Sequence, residues 1–158
     1  MTTTNGTRAV HACMDLGPVW IGCLRNVDAC VEAWCRSDAS VLVLVCSGTG
    51  DGVSFEDTVG AGAFCDRIVR ADAESTLSDA AGVALCAYRS LVPLRNETMR
   101  FAANGRRLLG HPDLAGDVDF CLQEGVSSVV PVCRQTAGRI EVRGTQRREA
   151  EATVRSLK

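Results

Sequence analysis

The sequence predicts an α/β fold, a layered α/β/α domain around a mixed, largely parallel sheet whose front strand or strands are missing. Three observations carry that expectation. Residues 41–46 (VLVLVC) form a continuous apolar run rich in β-branched side chains, the pattern of a strand covered by helices on both faces. Stretches of helical periodicity alternate with short apolar runs through the first half of the chain. A polar loop, residues 2–7 (TTTNGT), leads directly into a helical pattern, a place that normally follows a strand, yet almost nothing stands before it.

The elements follow in order. Residues 7–15 read as a helix with Val10 and Cys13 on one face. Residues 19–23 (VWIGC), bounded by Gly17-Pro18 and Arg25-Asn26, read as a strand. Asn26 is placed to cap the next helix, which runs to about Arg36 with Val27, Cys30, Val31 and Trp34 at helical spacing. After the 41–46 run comes a glycine loop, Ser47-Gly48-Thr49-Gly50-Asp51-Gly52. Ser54 then opens a long helix to about Arg70, with Asp57 in the capping-box position and Val59, Ala63 and Ile68 on the apolar side. Ser78 caps a helix that Pro93 ends. A further helix is expected over 95–103, stopped by Asn104-Gly105, and a short one over 117–124. Residues 128–133 and 140–142 read as strands, with Pro131 placing the first at a sheet edge or strand end. One domain is expected over 1–142, followed by a charged helix or tail over 143–158, where Arg143, Arg147, Arg148, Arg155 and Lys158 mix with Glu149 and Glu151.

Composition narrows the function classes. Aromatics make up only 4% of the chain against 46% hydrophobic residues, so the core must be built from Val, Leu, Ala and Cys. The net charge of −2 gives no basic field for nucleic acid or an anionic membrane. No apolar run approaches the ~18 residues of a membrane span, and the start lacks the charged-then-apolar pattern of a secretory signal. A cytoplasmic setting is the expectation. The nine cysteines include no C-x-x-C and no zinc spacing, so they are read as small buried hydrophobes in a reducing compartment. A nucleophilic cysteine would need His11 or His111 as its base, and neither sits in a partner motif.

Two segments carry chemistry. The 2–7 loop and the glycine loop each lead into a helix N-terminus, where free N–H groups and the helix dipole attract anions. Loops of this kind gather at the carboxyl ends of strands, and together they point to a phosphorylated or carboxylated small molecule. The glycine loop matches neither a nucleotide P-loop nor a dinucleotide fingerprint, and a tight turn with Ser54 as a plain cap is the alternative. Glu56 and Asp57 are adjacent carboxylates on a first helical turn. They suit a hard cation such as Mg²⁺ beside a phosphate, or they complement the helix dipole. Arg8 and Arg106 are candidates for forked contacts to phosphate or sulfonate oxygens.

These residues resemble a family. Residues 2–8 (TTTNGTR), Cys46-Ser47-Gly48, Ser54-Phe55-Glu56-Asp57, Ala61-Gly62, Ser78-Asp79-Ala80-Ala81, Gly105-Arg106 and Val129-Val130-Pro131 are similar, in order and approximate separation, to 2-phosphosulfolactate phosphatase, over the chain to about Ile140. The resemblance implies an α/β, Mg²⁺-dependent enzyme that hydrolyses (R)-2-phospho-3-sulfolactate to 3-sulfolactate and phosphate, a step of coenzyme M biosynthesis. On it, Thr3, Thr4, Asn5, Gly6, Thr7 and Arg8, with Gly48, Ser54 and Arg106, are expected to bind the small anionic substrate, and Glu56 and Asp57 to hold the metal or orient water. It also implies a front section with an Asp-x-x-Arg-Ala strand end and a Gly-rich Glu-Arg segment. Neither is in this sequence, and Gly125 stands where an acidic residue is implied. Three outcomes are therefore carried: an active phosphatase, a member of the same fold that binds small anions without turnover, and a chain whose true start lies upstream. If the chain begins at Met1, an exposed sheet edge would favour self-association into a homo-oligomer, or poor solubility.

Overall fold

The computed structural model describes residues 4–146. It is a mixed α/β structure of six α-helices and one three-stranded antiparallel sheet. Helix α1 is Thr4–Cys13, followed by strand β1, Val19–Trp20. A 3₁₀ turn, Leu24–Asn26, feeds α2, Val27–Cys35. Then come α3, Phe55–Ala71, and α4, Asp79–Leu91, a 3₁₀ segment Val92–Arg100, α5, Ala103–Leu109, and α6, Ala115–Cys121. Strands β2, Val129–Thr136, and β3, Arg139–Gln146, close the described chain.

The sheet differs from the parallel one expected. β1 pairs antiparallel with β2 in the register Val19↔Cys133, and β2 pairs antiparallel with β3 from Val129↔Gln146 to Thr136↔Arg139. A two-residue turn joins β2 to β3, with Ala137 and Gly138 both at positive φ (49° and 76°), the backbone twist that a tight hairpin needs. β3 runs past the expected end at Val142 to Gln146. The rest of the expected charged tail lies outside the described residues.

The largest departure is residues 41–46, which join no strand ladder among the described residues. Leu42 and Leu44 pack against the core, while Val41, Val43 and Val45 are 73%, 71% and 52% exposed. That alternation is strand-like, with one face covered rather than two. A strand needs a neighbour as well as an apolar sequence, and the sheet forms elsewhere.

Core packing rests on small residues. Val27, Ala33, Ala63 and Val130 are fully buried, joined by Cys30, Val31, Val59, Phe64, Ile68 and Tyr88. A second, smaller cluster holds Met99, Ala102 and Val118 under the 3₁₀ segment, α5 and α6. Helices α3 and α4 form the largest helix–helix contact among the described residues, and Gly62 makes it close: a Cβ there would stand 2.0 Å from the Ala84 carbonyl oxygen.

Asn26 is buried and does not cap α2 with its side chain, contrary to the expectation. Its Oδ1 accepts from the Cys23 N–H at 2.8 Å, and its Nδ2 donates to the Ile21 and Val129 carbonyls at 3.1 Å. One amide thereby satisfies backbone groups that a short β1 leaves open. The Asn104-Gly105 pair, expected to stop a helix, lies inside α5 instead. Gly105 is buried against the Met99 carbonyl, so it serves close packing rather than a turn.

Of the cysteines, only Cys30, Cys65 and Cys133 are buried; Cys23, Cys35, Cys46, Cys86 and Cys121 are exposed, and all nine thiols are free. The expectation of general burial fails because several of them fall on the outer faces of helices or on the uncovered 41–46 stretch.

Candidate functional site

The glycine loop and the start of α3 form the centre of the site. Gly48 and Gly50 take positive φ (73° and 61°), and a Thr49↔Gly52 bridge, with N–H···O contacts of 3.1 Å in both directions, ties the loop into a tight turn. Ser54 caps α3 as expected, its Oγ accepting from the Asp57 N–H at 3.2 Å. Asp57 does not return the contact to the cap. Its Oδ2 instead accepts from the Gly48 N–H at 2.8 Å, which pins the loop to the helix.

Glu56 lies beside it and is bound from another element. The Asn104 Nδ2, near the start of α5, donates to Glu56 Oε1 at 2.6 Å and to Thr49 Oγ1 at 3.0 Å. From the other side, Arg8 of α1 reaches Asp51 of the loop at 3.5 Å. Both of these side chains are largely exposed, so the pair contributes little energy and chiefly marks proximity. The structure thus brings Arg8, Gly48, Ser54, Glu56 and Asp57 to one loop, and it adds Thr49, Asp51 and Asn104.

Other expected residues fall differently. Asn5, Gly6, Thr7 and Arg8 lie within α1, not in a loop ahead of it; Asn5 and Gly6 are half-buried and Thr7 and Arg8 exposed. Residues in a first turn still have backbone N–H groups without a helical partner, so the anion-binding argument survives the change of element. Thr4 opens α1, and Thr3 lies outside the described residues. Arg106 does not join the group. Its Nη1 donates to the Arg100 and Phe101 carbonyls, and it lines a cleft with Glu97, Arg100, Leu109, Gly110 and Asp119. Asn104, read from the sequence as a turn residue, is the functional candidate that sequence reasoning missed.

No three carboxylate, imidazole or thiolate groups converge among the described residues. Two carboxylates beside a phosphate are, however, a donor set that Mg²⁺ accepts when it binds together with its substrate. A thiol nucleophile has little support. Partial desolvation of the thiol, and after it the Asp57 carboxylate, push Cys46 up from its ordinary value although the residue as a whole is exposed, and His11 and His111 are exposed too.

A second polar cluster stands behind α3. Arg67 donates to Asp28 at 3.1 Å and also to Tyr88 and Glu124, and Tyr88 donates to Glu124 at 2.8 Å. Gly125 sits beside this cluster at a positive φ of 64°, a backbone conformation that strains a side chain, and a Cβ there would also meet Asp28 Oδ2. Asp66, almost fully buried, accepts from Arg70 and Arg89 at 2.8 Å each. Both clusters join helices to one another and behave as structural ties.

Comparison with known proteins adds the lineage. A family model described as 2-phosphosulpholactate phosphatase matches residues 1–136. A probable 2-phosphosulfolactate phosphatase of Symbiobacterium thermophilum is 33% identical over 133 residues, covering 83% of this chain and 55% of that protein. The 2-phosphosulfolactate phosphatase of Methanothermobacter thermautotrophicus is 33% identical over 144 residues, covering 90% of this chain and 58% of that protein. A probable 2-phosphosulfolactate phosphatase of Clostridium novyi is 30% identical over 131 residues, 83% of this chain and 54% of its own length. The chain spans about half the length of the curated relatives it matches.

Proposed function

The chain belongs to the 2-phosphosulpholactate phosphatase family, and on that premise we propose that it acts on a small phosphorylated acid, releasing phosphate from 2-phosphosulfolactate. One observation carries the reading. Arg8 from α1, the glycine loop, Glu56 and Asp57 from α3 and Asn104 from α5 meet at a single loop. In the reaction water adds to phosphorus, the ester P–O bond breaks, and the leaving oxygen takes a proton. Such chemistry needs positioning and charge neutralisation more than covalent machinery. The start of α1 and Arg8 offer N–H groups and a cation to the substrate's phosphate, sulfonate and carboxylate groups. Mg²⁺, when bound, supplies charge neutralisation at the phosphoryl oxygens, and Glu56 and Asp57 would hold it. Asn104 keeps Glu56 in place. The free cysteines are compatible with a reducing, cytoplasmic setting, and a role in coenzyme M biosynthesis is part of this reading.

A second reading is favoured by one fact: Asp57 Oδ2 and Glu56 Oε1 are already held, by the Gly48 N–H and by Asn104 Nδ2. On it, the chain binds small anions without turnover. Phosphate release from 2-phosphosulfolactate in the presence of Mg²⁺, read beside thermal stabilisation by inorganic phosphate, separates the two. Release supports the first reading. Stabilisation without release from a folded sample supports the second, and neither effect overturns both.

A further inference from the structure

The glycine loop carries a carboxylate at its tip. Thr49 and Gly52 exchange both N–H···O bonds at 3.1 Å, so Gly50 and Asp51 form the end of a two-residue turn. The base of the turn is fixed from two sides. The Gly48 N–H donates to Asp57 Oδ2 at 2.8 Å, and Thr49 Oγ1 accepts from Asn104 Nδ2 at 3.0 Å. A carboxylate two residues beyond such anchors has a short reach. It is presented to Arg8 of α1, with Oδ1 3.5 Å from Nη1. Among the described residues, the Arg8 guanidinium makes no other hydrogen bond or ion pair.

A guanidinium offers the same fork of donors to a carboxylate as to a phosphate or a sulfonate. Asp51 and a bound oxyanion therefore compete for the same N–H groups of Arg8. An exposed pair of this kind is weak, so an incoming anion can displace it. We propose, resting on the reading of this loop as an oxyanion site, that Asp51 is a tethered competitor for Arg8. A ligand's phosphate, sulfonate or carboxylate group must displace it to bind, and Asp51 thereby sets the affinity of the site.

Inorganic phosphate is the probe, titrated into the full chain by calorimetry at low ionic strength, where exposed charges are least screened. Asp51→Asn keeps the shape of the side chain and removes its charge. It should bind phosphate about two- to fivefold more tightly than the wild type, with the circular dichroism unchanged. The gain has to pass through Arg8. In an Arg8→Gln background, Asp51→Asn should bring no gain, whether Arg8→Gln weakens binding or abolishes it. An equal gain in both backgrounds would make Asp51 an ordinary like charge and overturn the proposal. Phosphate binding by the wild type that Asp51→Asn leaves unchanged or weakens would overturn it too, while the oxyanion reading of the loop stands. No binding by either the wild type or Asp51→Asn would overturn both.

Discussion

Two glycines in α3 should respond to alanine in opposite ways. At Gly62 an added Cβ stands 2.0 Å from the Ala84 carbonyl oxygen, 2.7 Å from its carbon and 2.6 Å from Tyr88 Cβ. The closest ordinary C···O approach is about 3.3 Å, so α4 would have to withdraw by about 1.3 Å along the interface it shares with α3. The obstacle is backbone, which no rotamer change removes. Overpacking of this kind costs about 1–3 kcal/mol and sometimes more, and the better helix propensity of alanine returns up to about 1 kcal/mol. A net loss of about 2 kcal/mol is expected for Gly62→Ala. Gly60, one half-turn earlier in the same helix, has nothing within 4 Å of its added Cβ. Gly60→Ala should therefore gain about 0.5–1 kcal/mol. Urea unfolding with equal slopes would show midpoints moving apart by about 1 M or more. If both variants shift the same way, or differ by less than about 0.5 kcal/mol, the tight α3–α4 approach does not exist.

Other outcomes follow from single residues. Ala137 holds a φ of 49° at the hairpin turn, so Ala137→Asn should raise stability by about 1 kcal/mol. A thermal melt would register that as roughly 2–4 °C. Burial pushes the Cys30 thiol up to about 12 from an ordinary 9.0. The unfolded chain then ionises first as pH rises, so this group's contribution is intact below about pH 9 and fades between 9 and 12, by up to about 1.4 kcal/mol per pH unit. A denaturant series above pH 9 checks the slope, and a flat profile would refute it. Under native conditions alkylation should reach Cys23 and Cys86 quickly and leave Cys30, Cys65 and Cys133 intact until unfolding. Asn104→Ala removes a hydrogen bond to a carboxylate. It should lower phosphate release about tenfold or more, with stability little changed; full activity in that variant would remove Asn104 from the site.

Helices were the most legible part of this chain, because their caps and periodicity are local. Ser54 and Ser78 cap α3 and α4 where expected. Strand partners were not legible. The apolar run at 41–46 announces a strand but not its neighbour, and β1 finds its partner β2 more than a hundred positions away. In the site, Glu56, Asp57 and the glycine loop stood out because glycines and paired acids are visible in one window. Asn104 did not, since its role depends on α5 folding back onto Thr49 and Glu56. The pair Asn104-Gly105 also carries a turn signature, which tertiary packing against Met99 overrides.

The Val19↔Cys133 register has a consequence for how the molecule holds together. The short β1 strand and the middle of β2 clasp the ends of a long excursion that contains α2 to α6. Asn26 adds a link to Val129, and Arg25 adds others to Phe120 and Gln123. A break in the exposed glycine loop would leave two pieces still gripped by sheet, helix and side-chain contacts on either side of the cut. The chain is tied like a parcel whose string crosses itself, so an intact outline after nicking would say little about an intact covalent backbone.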